Sequence, residues 1–319
     1  MKIVFLDAHT INPGDLSWES LRSLGELQVF DRTPENEIVA RAREAEVLLT
    51  MRTPVSAEAM SQLKRLRYIG VTFTGYDQVD LKAARERNIV VTNVPTYGTA
   101  SVAQLAFALL LELCHHVGLH NEATRADEWS RSLDFSFRKT PLVELQGKTM
   151  GIIGLGQIGR HVGEIAIAMG MRVIATDEAR KNAPDWPGFR WCDLNELMAE
   201  TDVVSLHCPL LPQTHGIISA RSLSKIKPTA FLINTSRGPL IVEEDLADAL
   251  NGGRLAGAGV DVLSSEPPSV DNPLLRARNC IVTPHIAWAT IEARTRLVDT
   301  AVANLKAFLD GDPVNVVLS

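Results

Sequence analysis

The chain has 319 residues, 45% of them hydrophobic and 22% charged, with 32 Lys+Arg against 38 Asp+Glu for a net charge of −6. This composition excludes a mostly disordered chain, and at about 150 residues per domain the length suggests two domains that need no disulfide or metal staple. A mildly acidic, unpatterned surface argues against nucleic acid or an anionic membrane as the main partner.

The chain opens on the apolar run 2–6, which is too short for a signal peptide and reads as a buried strand. Similar runs follow at 28–30, 47–50, 67–71 and 88–91, with helix-patterned segments such as 54–67 between them. The series stops at the loop-like stretch 93–98, which leads into a long helix from about Ser101. Gln104, Glu112, His115 and His116 interrupt the apolar stretch 102–117, so no membrane span is expected. Residues 121–146 fit neither strand series. Trp129, Phe135 and Phe137 stand there among charges, and the stretch reads as an excursion packed on a second subunit, for which a homodimer is expected, with a simple long connection as the alternative.

A second series of runs lies at 149–153, 172–176, 202–206, 229–233, 257–262 and 279–282. Residues 243–250, followed by Asn251-Gly252-Gly253, read as a helix with its stop, and 291–309 as one long closing helix. Runs that are continuously apolar, not alternating, suit parallel sheets covered by helices on both faces. Two series imply two doubly wound α/β units, and the closing residues, too few for a domain, return to the first. Cys114, Cys192, Cys208 and Cys280 have neither metal-ligand nor disulfide-framework spacing. They read as free thiols in a reducing compartment, so a cytoplasmic protein without a metal site is expected.

The run 149–153 leads into Gly154-Leu155-Gly156-Gln157-Ile158-Gly159, a Gly-x-Gly-x-x-Gly pattern that opens a helix reaching about Met169. Gly154 permits the tight turn, Gly156 lets backbone approach a pyrophosphate, and Gly159 allows close helix–strand packing. Amides around Gln157 and Ile158, at the positive helix end, would hold the phosphates. The next run, 172–176, ends in Asp177, where a carboxylate accepts from ribose hydroxyls and repels a 2′-phosphate. NAD is therefore expected over NADP, with Arg180 and Lys181 softening that preference slightly.

Three further residues each follow a predicted strand of the same sheet, at the edge where ligands bind in open α/β sheets. Arg237 follows 229–233, Glu266 follows 257–262, and His285 follows 279–282. Singly, each has a bland account as a surface charge or a loop histidine. Together they combine a guanidinium that clamps a carboxylate, a histidine that donates a proton and a glutamate that keeps the histidine charged. That set suits reduction of a 2-oxo acid.

The chain resembles the D-isomer-specific 2-hydroxyacid dehydrogenases over essentially its whole length. The resemblance rests on Thr74-Gly75-Tyr76-Asp77-Gln78-Val79-Asp80, the glycine fingerprint, Asn234-Thr235-Ser236-Arg237-Gly238, Gly259-Val260-Asp261-Val262 with Glu266-Pro267, and Pro284-His285-Ile286-Ala287. Within the family, Pro284-His285-Ile286-Ala287-Trp288-Ala289 with Glu292-Ala293-Arg294 most resembles glycerate dehydrogenases, also called hydroxypyruvate reductases. The resemblance implies an α/β fold with two doubly wound parallel-sheet domains. A Rossmann dinucleotide-binding domain, 99–287, is inserted into a flavodoxin-like substrate domain made of 1–98 and 288–319. It also implies that Arg237 binds the substrate carboxylate and keto oxygen, helped by backbone amides near Thr74 and Gly75. His285 would be the acid in reduction, with Glu266 as its partner. Asp261 would hold the nicotinamide carboxamide, and Thr235, Ser236 and Arg237, with His285, Ala287 and Trp288, would line the cofactor. Cys208, Pro209 and Thr214 would pass beside its ribose, while His207 and His215 match no catalytic position. Met51, Arg52, Phe73, Thr74, Tyr76 and Trp288 are the expected pocket walls, with Phe73 and Tyr76 equally readable as packing residues and Arg52 as an exposed loop charge. Two alternatives stay open: D-3-phosphoglycerate or D-lactate oxidation within the family, and an NAD-sensing dehydrogenase-like corepressor on the same scaffold.

Overall fold

A computed structural model of the chain describes residues 1–317. Residues 318–319, the end of the expected substrate domain, lie outside the described residues. The chain divides into two compact units, Met1–Gly98 with the stretch from Trp288 onward, and Thr99–Ala287.

The first unit holds β1 (Lys2–Phe5), β2 (Glu26–Val29), β3 (Val47–Thr50), β4 (Tyr68–Val71) and β5 (Val90–Thr92). All neighbours pair in parallel, in the order β2-β1-β3-β4-β5, the flavodoxin-like arrangement. β3 and β4 are buried at every position, whereas β2, at an edge, alternates half-buried and exposed residues. This is how a sheet covered on both faces differs from its rim. The segment 54–67 is helical only over Ala57–Gln62, because Ser56 caps it by accepting the Ala59 amide and Leu63 leaves helical geometry. The run 88–91 becomes Val90–Thr92, since Asn88, at φ 54°, is still turning the chain out of the preceding helix.

The helix Ile291–Leu309 belongs to this unit and starts at Thr290, whose side chain accepts the Ala293 amide. Its buried positions, 293, 294, 297, 298, 301, 304 and 305, form one stripe at helical spacing. Two of them are polar. Arg294 donates to Asp15, to the Ile11 carbonyl and to the Ala289 carbonyl, and Asn304 donates to the Asn93 carbonyl. The guanidinium holds the Asp15 carboxyl below the usual carboxylate range.

The second unit holds β6 (Thr149–Ile153), β7 (Arg172–Thr176), β8 (Arg190–Trp191), β9 (Val203–Leu206), β10 (Phe231–Asn234), β11 (Gly257–Val260) and β12 (Cys280–Val282). They form one parallel sheet in the order β12-β11-β10-β9-β6-β7-β8. The order reverses between β6 and β9, as in a Rossmann sheet, and the carboxyl ends of strands at such a switch point are where open α/β sheets bind ligands. Sequence reading missed β8, which at two half-buried residues has no apolar run to betray it.

Before β6, the helix Thr99–His115 ends and a second, Val117–Arg125, leaves it at 55° through His116, at φ 47°. The expected irregular stretch 121–146 therefore begins inside a helix, and from 126 to 148 no helix or strand is found. Leu133 and Phe135 are almost wholly exposed there, and Trp129 is half-exposed with its indole N–H on the Phe135 carbonyl. No single helix among the described residues is long and apolar enough to cross a membrane.

Candidate active site

Because every strand of the second unit runs parallel, the loops that follow them leave the sheet at one edge. The glycine turn after β6 is one of these. Gly154 has φ 93°, and a Cβ there would lie 2.5 Å from the Cys208 nitrogen, in the loop after β9. A Cβ on Gly159 would lie 2.2 Å from the Gly154 carbonyl oxygen, whereas one on Gly156 would meet nothing within 4 Å. Gly156 is also the N-cap of the helix Gln157–Ala168, with no side-chain cap. The open space thus faces the positive end of a helix, where an anion is favoured.

Asp177, after β7, accepts the Leu155 amide at 2.8 Å and the Ala179 amide at 3.0 Å. The acid read as a ribose ligand therefore also braces the glycine turn, a role that spacing alone does not reveal. Arg180 turns aside to donate to the Cys192 carbonyl at 3.0 Å. After β9, Thr214 closes its loop by donating to the Pro209 carbonyl and accepting the Leu211 amide. His207 contacts Ser205 Oγ at 2.8 Å, and burial pushes its imidazole down to about 3. A ring held neutral at physiological pH does not serve as a proton donor, in keeping with its non-catalytic reading. Burial likewise pushes all four cysteine thiols up, to about 11 or 12, and none is disulfide-bonded.

The loops after β10, β11 and β12 carry Arg237, Glu266 and His285. Asn234, fully buried, shapes the first: its Nδ2 donates to the Arg237 carbonyl and its Oδ1 accepts the Ser236 amide. Ser236 Oγ donates to the Leu206 carbonyl across the strand pair. Arg237 itself is exposed, with one guanidinium N–H on the Ser236 carbonyl. Gly238 has no room for a side chain, since a Cβ would fall 2.0 Å from the Leu263 carbonyl carbon; the Arg237 and Glu266 loops touch there, backbone to backbone.

Glu266 Oε2 accepts from His285 Nδ1 at 2.7 Å. Because a carboxylate only accepts, Nδ1 carries the proton of that bond, and Nε2 has no partner among the described residues. His285 sits at φ 54°, a conformation that costs an L-residue roughly 1–2 kcal/mol. Its amide offsets this by donating to the Asp261 and Thr283 carbonyls. The Asp261 carboxylate, 1% exposed, organises the rest of the loop: it accepts from Thr283 Oγ1 at 2.6 Å and from the amides of Ile286 and Ala287 at 2.9 and 2.8 Å. Burial pushes the Asp261 carboxyl up, against the opposing effect of those bonds. Three of its roughly four acceptor positions are therefore used by the chain itself, a commitment invisible in the motif.

The remaining expected site residues lie in the first unit. Thr74 and Gly75 follow β4, with Thr74 Oγ1 on the Val94 carbonyl and its carbonyl held by Asn93 Nδ2 at 2.7 Å. Asp7 accepts the amides of Met51, Arg52 and Thr53, which pins the loop after β3. Trp288 packs edge-on against Phe73 and Tyr97, so all three rings serve the core of this unit.

The second unit fits a dinucleotide on its own geometry. His207 Nδ1 and Thr235 Oγ1 are buried without a hydrogen-bond partner among the described residues, at the carboxyl ends of the paired strands β9 and β10. Buried polar atoms left unmatched by protein at a ligand-binding edge are what a bound polar group would satisfy.

The model of the NAD binding domain of D-isomer specific 2-hydroxyacid dehydrogenases matches residues 107–287. A hydroxypyruvate reductase from Blautia hydrogenotrophica is 51% identical over 99% of each chain. A glycerate dehydrogenase from Methylorubrum extorquens is 37% identical over 99% of this chain and 98% of its own. Among solved structures, an acyclic imino acid reductase in complex with NADPH and D-Arg superposes with a TM-score of 0.85 over the full length of both chains, at 33% identity.

Proposed function

The chain belongs to the D-isomer specific 2-hydroxyacid dehydrogenase family, NAD-dependent oxidoreductases of 2-hydroxy acids, and from that premise we propose that it interconverts hydroxypyruvate or glyoxylate with the corresponding 2-hydroxy acid. The observation that carries this reading is the 2.7 Å bond between His285 Nδ1 and Glu266 Oε2, in a loop that abuts the one bearing Arg237. Bound NADH supplies the hydride. With Nδ1–H committed to Glu266, the proton for transfer sits on Nε2 of His285 and passes to the oxygen at C2. Arg237 takes the substrate carboxylate with its planar fork, and its charge stabilises the oxygen as negative charge develops. Thr74 and Gly75 bind substrate through backbone amides. Gly154, Gly156, Gln157, Ile158 and Gly159 cradle the pyrophosphate, and Asp177 takes the ribose.

A panel of 2-oxo acids assayed with NADH and with NADPH tests the reading. Hydroxypyruvate or glyoxylate is expected to support the fastest NADH oxidation, with NADPH at least about tenfold slower because Asp177 repels a 2′-phosphate. NADH binding without turnover of any 2-oxo acid would overturn the reading in favour of a cofactor-sensing regulator.

Association as a homodimer in the cytoplasm is part of the same proposal. The exposed Trp129, Leu133 and Phe135 in the stretch after Arg125 support a second copy as their cover, and the four unpaired cysteines support a reducing compartment. Sedimentation equilibrium is expected to report a particle of two 34.9 kDa chains; a single-chain mass at micromolar concentration would refute the dimer.

A further inference from the structure

Glu243 heads the helix Glu243–Asn251 and is only 9% exposed. A buried carboxylate is tolerated where hydrogen bonds compensate its lost hydration, and both oxygens are engaged. Oε1 accepts the Ser264 amide at 2.7 Å, and Oε2 accepts from Asn272 Nδ2 at 2.7 Å. These partners flank Glu266 in the chain. Within the loop, Glu266 Oε1 takes the Leu263 amide at 3.2 Å while Oε2 takes His285. Asn272 cannot turn its amide over freely, because its Oδ1 already accepts the Leu274 amide at 3.0 Å. Gly238 lets the Leu263–Ser264 backbone lie directly on the Arg237 loop. The loop of Glu266 is thus held both by a close backbone pass at a glycine and by a buried acid.

We propose that Glu243 is a positioning residue for the Glu266–His285 pair: by anchoring Ser264 and Asn272 it fixes where the Glu266 carboxylate meets the imidazole, and so how firmly His285 holds its proton. The inference rests on His285 as the proton donor. Of the charged groups facing His285, Glu266 is in direct contact and Asp261 holds the next two amides. On Glu243's own helix, Asp245 is engaged elsewhere, accepting the Ala220 amide.

Hydrogen-bond direction supplies the test. Ser264 N–H and the Asn272 amide are both donors, so E243Q, with one acceptor and one donor, satisfies only one of them. Adding N272D restores the match, since the new glutamine N–H then faces a carboxylate that still caps Leu274. N272A removes one anchor, together with the cap on Leu274, and leaves the buried charge in place, which separates anchoring from simple loss of charge. For each variant, the His285 ring is titrated by NMR without substrate, and the pH profile of kcat/KM for hydroxypyruvate reduction is measured alongside. In E243Q both the NMR midpoint and the alkaline fall-off of reduction are expected to move to lower pH by about half a unit or more, because imidazolium loses its best-placed carboxylate. N272A should move them in the same direction by less, the double variant should return them to wild type, and KM for NADH should stay within about twofold. Midpoints unchanged in both E243Q and N272A would overturn the proposal, as would a shift in E243Q that N272D fails to reverse in a folded double variant. Should E243Q fail to fold, the N272A midpoint decides alone. If the wild type reduces no 2-oxo acid, the functional reading fails, while the substrate-free titration still reports on the clamp.

Discussion

Replacing His285 with alanine is expected to lower kcat for 2-oxo acid reduction by about 10²–10⁴-fold, the range over which a positioned general acid contributes. NADH binding, followed by fluorescence, should survive, because the glycine turn and Asp177 are braced by bonds that do not involve His285. The loop backbone should also survive, since Asp261 holds it through Thr283, Ile286 and Ala287. Position 285 lies at φ 54°, where asparagine is far more at home than alanine. H285N is therefore the cleaner variant, expected to match the kinetic loss of H285A with less loss of thermal stability. Either variant retaining more than about a tenth of wild-type kcat would remove His285 from the chemistry.

Arg237→Lys is the second large effect. The backbone at 237 is set by Asn234, Ser236 and the close pass of Gly238, none of which depends on the guanidinium. The substitution therefore changes the head group alone: a planar fork becomes a point charge on a flexible stem. A hydrogen bond to a charged group contributes about 1.5–3 kcal/mol, so kcat/KM for the 2-oxo acid is expected to fall by roughly 10–150-fold. The fall should be divided between a raised KM and a lowered kcat, because the same side chain binds the carboxylate and stabilises the developing charge. An unchanged KM and kcat in R237K would mean that the carboxylate is held elsewhere.

The strands were legible because parallel strands buried on both faces are predominantly apolar, as β3, β4, β9 and β10 are, with only Thr50, Ser205 and Asn234 polar among their buried positions. β8 was not, because two half-buried residues at an edge carry no such constraint. The glycine turn was equally readable, since only glycine satisfies φ 93° at Gly154 and the missing Cβ at Gly159. What a single sequence concealed is hydrogen bonding between residues distant in the chain. Asp177 reaches back to Leu155, Asp261 reaches forward to Ala287, and Glu243 reaches Ser264 and Asn272. A carboxylate held by backbone amides leaves no pattern in its neighbours, because every residue has an amide to give. The same holds for Asn304 and Asn93, which pass a hydrogen-bonded chain from the last helix to the Thr74 carbonyl.

The helix Ile291–Leu309 and the sheet it covers are separated by the whole second unit, and this has a consequence during synthesis on the ribosome. Chains emerge amino end first and their domains tend to fold as units. Residues 1–98 leave the exit tunnel with β1–β5 complete but without Trp288, Leu297, Val298, Ala301 and Leu305, which belong to the same core. Tyr68 in particular waits for Phe308, whose ring settles 4.9 Å from its own. The second unit, continuous in sequence, has all its strands before that helix is even translated. The first domain to be made is thus the last to be finished, and its half-covered sheet is the surface a nascent-chain chaperone would meet.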